Sequence, residues 1–338
     1  MPGTDPLLLD EISLLLVWTA VAIYVLAFIA YAIDLARRSD LAIKAKDEVV
    51  ARELVTAGGG GVIDASGGAS ASGGSVTKPR YLWARMGTAL IALGFLFHLA
   101  ATVLRGIAAE RVPWSNMYEF ALTGVLLVVA VYLVALTRFD LRFLGSLISG
   151  LAVVLLGGAT LAFHVEVVPL ADPLKSVWLV IHVFVASLAT ALFALAFGLS
   201  VMQLLQARRE RKLAIAASTD AAPPRRSFLQ TLPNADALES LAYRFAIVGF
   251  IFWTFTLIAG SIWANDAWGR FWGFDTKEVW TFVIWVLYAG YIHARATRGW
   301  RGTRSAWLSI IGFVAVLFNF TIVNVFFKGL HAYSGLTS

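Results

Sequence analysis

Eight stretches of this chain are each apolar for about as long as a bilayer is thick, and little is left over from which a soluble domain could be built. They lie at about 12–35, 83–106, 117–137, 141–163, 176–206, 241–263, 279–294 and 305–327. A hydrocarbon core of roughly 30 Å takes about 20 predominantly apolar residues of helix to cross. A segment inside lipid must also satisfy its own backbone hydrogen bonds, so helices are the expected solution. The expected fold class is an all-α polytopic membrane protein with about eight transmembrane helices and both termini outside. With 59% hydrophobic and only 14% charged residues, the composition is far from that of a soluble globular domain.

The first run follows a segment that carries Asp5, Asp10 and Glu11 but no Lys or Arg. It therefore lacks the basic region of a secretory signal and reads as a retained span, residues 1–36. The fifth run is long and is expected to tilt or to extend beyond the bilayer.

Basic residues gather in alternate loops: Arg37 to Arg85, then Arg138 and Arg142, then Arg208 to Arg226, then Arg295 to Arg304. Such loops belong on the cytoplasmic side. The remaining loops, at 105–116, 164–175 and 264–278, and the tail from Lys328 then lie outside, and the protein sits as a multi-pass chain in the cell's inner or plasma membrane among its lipids. The net charge of +6 follows from these loops, and nothing resembles a nucleic-acid module. Residues 37–82, with glycine runs at 58–61 and 73–74, and the stretch Ala214 to Pro224 read as flexible cytoplasmic tethers. Residues 83–338 form the membrane domain. The cysteine count is zero, so the chain neither relays disulfides nor forms a thioether of its own.

Between the sixth and seventh runs the sequence reads Trp263-Ala-Asn-Asp-Ala-Trp268-Gly-Arg-Phe271-Trp272-Gly-Phe274-Asp275-Thr-Lys-Glu278-Val-Trp280. If residues 268–273 are helical, Trp268 and Trp272 stack on one face, with Gly269 and Gly273 on the next, a surface suited to a large flat apolar ligand. An aromatic belt that only anchors two helices at the membrane boundary is the other reading. Asp275 followed by Glu278 three residues on has the form of a capping box opening the seventh span.

The stretch resembles the tryptophan-rich WWD domain of the CcsA (ResC) family of System II cytochrome c biogenesis. The matching positions are Trp263, Ala264, Asn265, Trp268, Gly269, Trp272, Asp275, Lys277, Glu278 and Trp280, continued by Tyr291-Ile-His293-Ala-Arg295. The departures are Phe271 for Tyr, Phe274 for Trp, and Thr276 for Pro at the first helical position, where Pro is favoured but not required. Segments around Pro113 to Glu119, Leu174 to Val183 and Asn324 to Tyr333 also look like this family, so the likeness extends over roughly residues 85 to 335.

Histidine in or beside a span is costly without a partner, and imidazole is a common ligand of haem iron. By position, His182 and His331 flank the tryptophan-rich loop; they either supply two axial ligands or hydrogen-bond to neighbouring backbone and Trp groups. His293 follows Glu278 by fifteen positions, or roughly 22 Å along a helix, towards the inner face. The same arithmetic puts His98 near the outer face, so His98 and His293 do not share one iron. His98 reads as a hydrogen-bonded core residue and His164 as a surface one.

The resemblance implies more. It implies haem b as ligand and substrate, His182 and His331 on the iron of an external haem, and Trp263, Trp268, Trp272, Trp280 and Asp275 around it. It also implies a membrane-embedded haem at His293, completed by a histidine of a CcsB/ResB-type partner. The implied activity is haem transport across the membrane and presentation for thioether attachment to apocytochrome c, as the CcsA-type subunit of a cytochrome c synthase (a haem lyase). Arg270 and Lys277 are candidates to meet the two propionates. Two competing readings are a transporter of haem or another hydrophobe that takes no part in attachment, and an assembly scaffold that binds no haem.

Overall fold

The computed structural model describes residues 5–58, 81–168, 174–219, 227–297, 299–327 and 329–330, with backbone alone over 39–58. The long helices are α1 (Pro6–Gly58), α2 (Leu82–Ala108), α3 (Met117–Leu136), α4 (Arg142–Phe163), α5 (Val177–Thr219), α6 (Ala235–Trp268), α7 (Thr276–Thr297) and α8 (Thr303–Phe326). There is no strand among the described residues. Seven of these helices are long and apolar enough to cross a membrane. The eighth, α7, has 22 residues and is diluted by Trp280, Trp285, Tyr288, Tyr291 and His293. It nevertheless runs the length of its neighbours, since Lys277 at its start reaches the end of α8 and Arg295 near its close reaches Glu239 at the start of α6. The chain is a multi-pass all-α membrane protein.

The helices overrun the apolar segments at several ends. α1 begins at Pro6, so Asp10 and Glu11 lie inside it rather than ahead of the span. It continues as helix to Gly58, and α5 continues to Thr219. What remains of the two expected tethers, 59–80 and 220–224, lies outside the described residues. At about 1.5 Å per residue the 43 residues of α5 reach about 65 Å, twice the thickness of a hydrocarbon core.

Lipid tails are as apolar as Leu, so close packing and polar contacts between helices hold such a bundle together. His98, fully buried, ties three helices: its Nε2 donates to the Leu122 carbonyl at 2.8 Å, and its Nδ1 accepts from the Tyr24 hydroxyl at 3.2 Å. Both ring nitrogens are thereby used and the ring is neutral, a structural role. Tyr31 reaches Thr88 in the same manner.

Four charges close the end of the bundle that carries the tryptophan-rich loop. Arg105, fully buried on α2, donates to Asp10 of α1 at 2.6 Å, to Glu119 of α3 at 3.0 Å, and to the Val165 carbonyl at 2.9 Å. Arg111 donates to the other oxygen of Glu119 at 2.6 Å. Two cations facing two carboxylates make the cluster neutral, which is how charge is tolerated at such depth. At the opposite, basic end, Glu239 accepts from Arg295 at 2.9 Å and from the Gly302 backbone at 2.6 Å, joining α6, α7 and α8.

Two helices are irregular. α4 holds a π-helical turn at Val153–Gly157 and α8 another at Asn319–Val323. Both border the same cavity.

Candidate functional site

The tryptophan-rich loop takes its shape from its two helix ends. α6 stops at Trp268 because Gly269 turns left-handed, at φ 70°, and its N–H donates back to the Asn265 carbonyl at 2.9 Å. α7 opens with Thr276 as its first residue, and Glu278 reaches back so that one carboxylate oxygen accepts from the N–H groups of Asp275 at 3.1 Å and Gly273 at 2.8 Å. This is the expected reach-back of a capping box, and it satisfies two loop donors that lipid would leave unpaired. Phe274, just before the cap, adopts φ 56° and is 80% exposed.

Since residues 269–273 are not helical, Trp268 and Trp272 do not share a face, contrary to the sequence expectation. Gly269 and Gly273 suited a helix face and a chain break equally well, and the break occurs. Trp263 is buried; its ring lies 4.8 Å from Trp268 at a steep angle, and both belong to a small cluster with Leu174, Leu179 and Val183. Trp272 faces the other way, edge-on to Phe274 and Phe282.

Trp272 lines a chamber enclosing about 1230 Å³ of empty space, counted out to its open mouth. One wall is α3, from Phe120 to Val128, and another is Leu151 and Leu155 at the π turn of α4. α5 supplies His182 to Thr190, α6 Trp253 to Ser261, and α8 Phe313 to Phe320, while Phe271, Trp272 and the first turn of α7 close one end. Phe120 and Phe320 stack at 5.4 Å across one edge. The lining is overwhelmingly apolar, with polar groups confined to a few positions, as in sites for large hydrophobic ligands.

His182 stands on this wall. Its Nδ1 lies 2.9 Å from the Thr256 carbonyl. A carbonyl only accepts, so Nδ1 carries the proton and Nε2 is the basic nitrogen. A carbonyl that accepts from the far nitrogen in this way fixes the tautomer and ring angle of a metal-binding histidine. Behind the ring lies Trp263, stacked at 5.9 Å and 21°. Beside it is Gly260, where a Cβ would stand 2.7 Å from His182 Cε1.

A polar corner completes the chamber. Lys277 Nζ donates to the Asn319 carbonyl at 3.3 Å and to Asn324 Oδ1 at 2.5 Å. Two side-chain oxygens here, Glu278 Oε1 and Asn319 Oδ1, are buried with no hydrogen-bond partner. Buried acceptors are seldom left so, and these two border the cavity.

The residues singled out in the sequence therefore separate. His182 and Trp272 meet on the chamber wall, Trp263 and Trp268 stand behind His182, and Trp280 turns into the core against Phe318 at 4.4 Å. Asp275 stands just before α7, its N–H held by Glu278, and lies beside Gly329 at the end of the described chain. His293 is exposed on α7, next to Arg295 at the basic end and far from the chamber. His331 lies outside the described residues. His164 is half-buried rather than on the surface, edge-on to Tyr118 at 4.8 Å; burial lowers its pKa below the usual imidazole value. Lys277, a candidate for the propionates, is held by α8.

Sequence reasoning missed Gly260, Thr256, Trp253, Asn319, Phe320 and the Arg105 cluster. Asn324, Lys277 and Arg105 were visible as polar groups at the ends of spans, and that was the one usable signal.

A helical bundle with a lipid-depth apolar chamber, a fixed imidazole on its wall and aromatic rings around its mouth defines a membrane protein that handles a large hydrophobic ligand. The family described as Cytochrome C assembly protein matches residues 114–331. Among curated relatives, the cytochrome c biogenesis protein CcsA of Guillardia theta is 34% identical over 242 residues, covering 69% of this chain and 80% of the relative. That of Synechococcus elongatus is 33% identical over 282 residues, covering 73% and 87%, and that of Gloeobacter violaceus 30% over 294 residues, covering 75% and 87%. The chain belongs to the cytochrome c assembly protein family, and its role lies in cytochrome c maturation. Among solved structures, the cytochrome c haem lyase CcmF shares the fold with a TM-score of 0.60 at 16% identity, over 95% of this chain and 47% of that one. The chain thus spans about half the length of that structure.

Proposed function

We propose that this protein is the CcsA-type subunit of a cytochrome c synthase. It would bring haem b to the tryptophan-rich loop, on the extracytoplasmic side of the membrane, and present it for thioether attachment to apocytochrome c. The observation that carries this reading is His182, whose Nδ1 proton is tied to Thr256 while the ring stands on the wall of an apolar chamber bordered by Trp272, Phe120 and Phe320. The donor set fits haem: a neutral imidazole for iron, flat apolar walls for the macrocycle, and polar groups confined to a corner.

In this reading His182 and His331 are the axial ligands of the presented haem. Trp263 and Trp268 hold the His182 ring from behind, Trp272 contacts the macrocycle, and Trp280 and Asp275 shape the loop from the core side and at the cap. Thioether bonds form between haem vinyl groups and thiols that the substrate supplies, since this chain has no cysteine. The protein's share of the rate is then orientation, which for well-aligned groups reaches several kcal/mol. His293, exposed near the basic end, is the ligand of a second, membrane-embedded haem shared with a histidine of a CcsB/ResB-type partner. An exposed imidazole on a spanning helix is costly in lipid and inexpensive at an interface. Two sites at different depths make a relay, the basic end first.

The test is purification with the partner, followed by absorption spectra of wild type, His182→Ala, His331→Ala and His293→Ala. Low-spin bis-histidine haem in wild type, with its spectrum altered by the substitutions, is the expected result. Haem spectra identical in all four proteins would refute the ligand assignment, and no haem at all would favour the scaffold reading.

A further inference from the structure

Resting on that reading, we infer that Glu278 and Asn319 form a subsite of the chamber that accepts hydrogen bonds, and that the group it takes is a carboxylic acid side chain of the flat ligand in its protonated form. Glu278 lies in the first turn of α7 and Asn319 begins the π turn of α8. Both border the chamber, and they are only 8% and 5% exposed. Glu278 Oε2 already accepts from the N–H groups of Gly273 and Asp275, while Oε1 has no partner among the described residues. Asn319 Oδ1 is in the same position. Thr281 fixes which way that amide points: its hydroxyl proton goes to the Lys277 carbonyl at 2.7 Å, so towards Asn319 it only accepts, and the amide nitrogen must face it at 3.5 Å.

The donors nearby are committed. Trp253 Nε1 donates to the Thr281 carbonyl at 3.1 Å, and Lys277 gives two of its three N–H groups to α8. The corner therefore holds a surplus of acceptors, and a buried acceptor left without a partner costs free energy that an incoming donor recovers. An ionised carboxylate offers acceptors alone and would set like charge against Glu278. A neutral carboxylic acid has the complementary pattern: its O–H supplies a donor to the two bare oxygens, and its carbonyl accepts from the third N–H of Lys277. The rim of haem is apolar except for two propionic acid groups, so one of these is the group that suits the corner, entering with its proton.

The experiment titrates the full chain, purified with its partner, with haem and with haem dimethyl ester, following the Soret band. The ester keeps the ring, the iron and both carbonyls but has no acid O–H. Wild type is compared with Glu278→Gln and Lys277→Met. Glutamine preserves the reach-back, since its oxygen accepts from the two loop N–H groups as the carboxylate does, and it puts an amide N–H in the place of Oε1. Wild type is expected to prefer haem over the ester by about tenfold or more, the cost of leaving buried acceptors unpaired. Glu278→Gln should bind the two within about threefold, because an amide N–H suits an ester carbonyl. Lys277→Met should keep most of the wild-type preference. Equal binding of haem and ester by wild type overturns the subsite. A preference undiminished in Glu278→Gln but lost in Lys277→Met also overturns it, and assigns an ionised carboxylate to Lys277. If wild type takes up neither form, the parent reading falls, an outcome distinct from both.

Discussion

Gly260→Ala isolates the contribution of His182 orientation, because it leaves every proposed ligand in place. The added Cβ would stand 2.7 Å from His182 Cε1 and 2.8 Å from Nδ1, against an ordinary contact of roughly 3.5 Å. The ring must retreat by about 0.8 Å to reach that contact, and α6 backbone is the less yielding partner. Forcing a methyl into a packed site costs about 1–3 kcal/mol, whereas turning an imidazole off its rotamer costs about 0.5–1.5 kcal/mol. The ring therefore moves, and with it goes the 2.9 Å bond to Thr256. Losing the hydrogen-bond partner that orients a metal-binding histidine typically weakens the metal site about 10- to 100-fold. Titration of haem into apo-protein, followed at the Soret band with the partner present, should show a weakening of that order. Unfolding of the apo-protein should change little, since Ala in place of Gly favours the helix by about 0.5–1 kcal/mol. Haem affinity within about twofold of wild type would show that His182 is not held by Thr256 in the way argued, or that it is not a ligand; at about 1.4 kcal/mol per tenfold the assay resolves the difference.

Arg105→Met should destabilise the fold by about 3–5 kcal/mol, because Glu119 and Asp10 lose a buried counter-charge; reversible unfolding in detergent measures it, and Glu119→Gln in the same background should recover part of the loss. His293→Ala should deplete haem from both sites if the relay runs from the basic end, whereas His182→Ala should spare the membrane-embedded haem; equal loss in both would count against the order. His164 carries a pKa lowered by burial from the usual 6.5, so as pH falls through that value the unfolded chain takes up the proton first and folding stability drops. Comparing unfolding at mildly alkaline and mildly acid pH, His164→Asn should lose less stability on acidification than wild type; an equal loss in the two proteins would place the acid sensitivity elsewhere.

The spans were legible because a hydrophobic run of bilayer length is a one-dimensional signal, and the α7 cap because Asp275 and Glu278 are three residues apart. His98 was legible as a core residue for the same kind of reason: its depth follows from counting along a single helix. What failed was long-range. Arg105 finds Asp10 across 95 residues and Lys277 finds Asn324 across 47, and no local pattern encodes either partner. The break at Gly269 failed differently, because the spacing of Trp268 and Trp272 was equally consistent with a continuous helix. Gly260 carried no signal, since a glycine facing a histidine looks like any small residue at a helix contact.

The tryptophan-rich motif thus serves several purposes. Seven residues, 269–275, must join two helices at the edge of a low-dielectric region, where each unpaired N–H is expensive. Gly269 and Glu278 are used for that closure: one ends α6, and the other gives a single oxygen to two loop N–H groups. The second oxygen of Glu278 is left on the chamber wall. The tryptophans divide likewise, Trp263 and Trp268 backing His182 and Trp272 facing the cavity. Substitutions at Trp268 and Trp272 should therefore differ in kind: Trp268→Ala acts through the angle of His182, and Trp272→Ala through contact with whatever fills the chamber. Had the two rings shared one helical face, the effects would have been alike, so the left-handed turn at Gly269 is what makes the platform divisible.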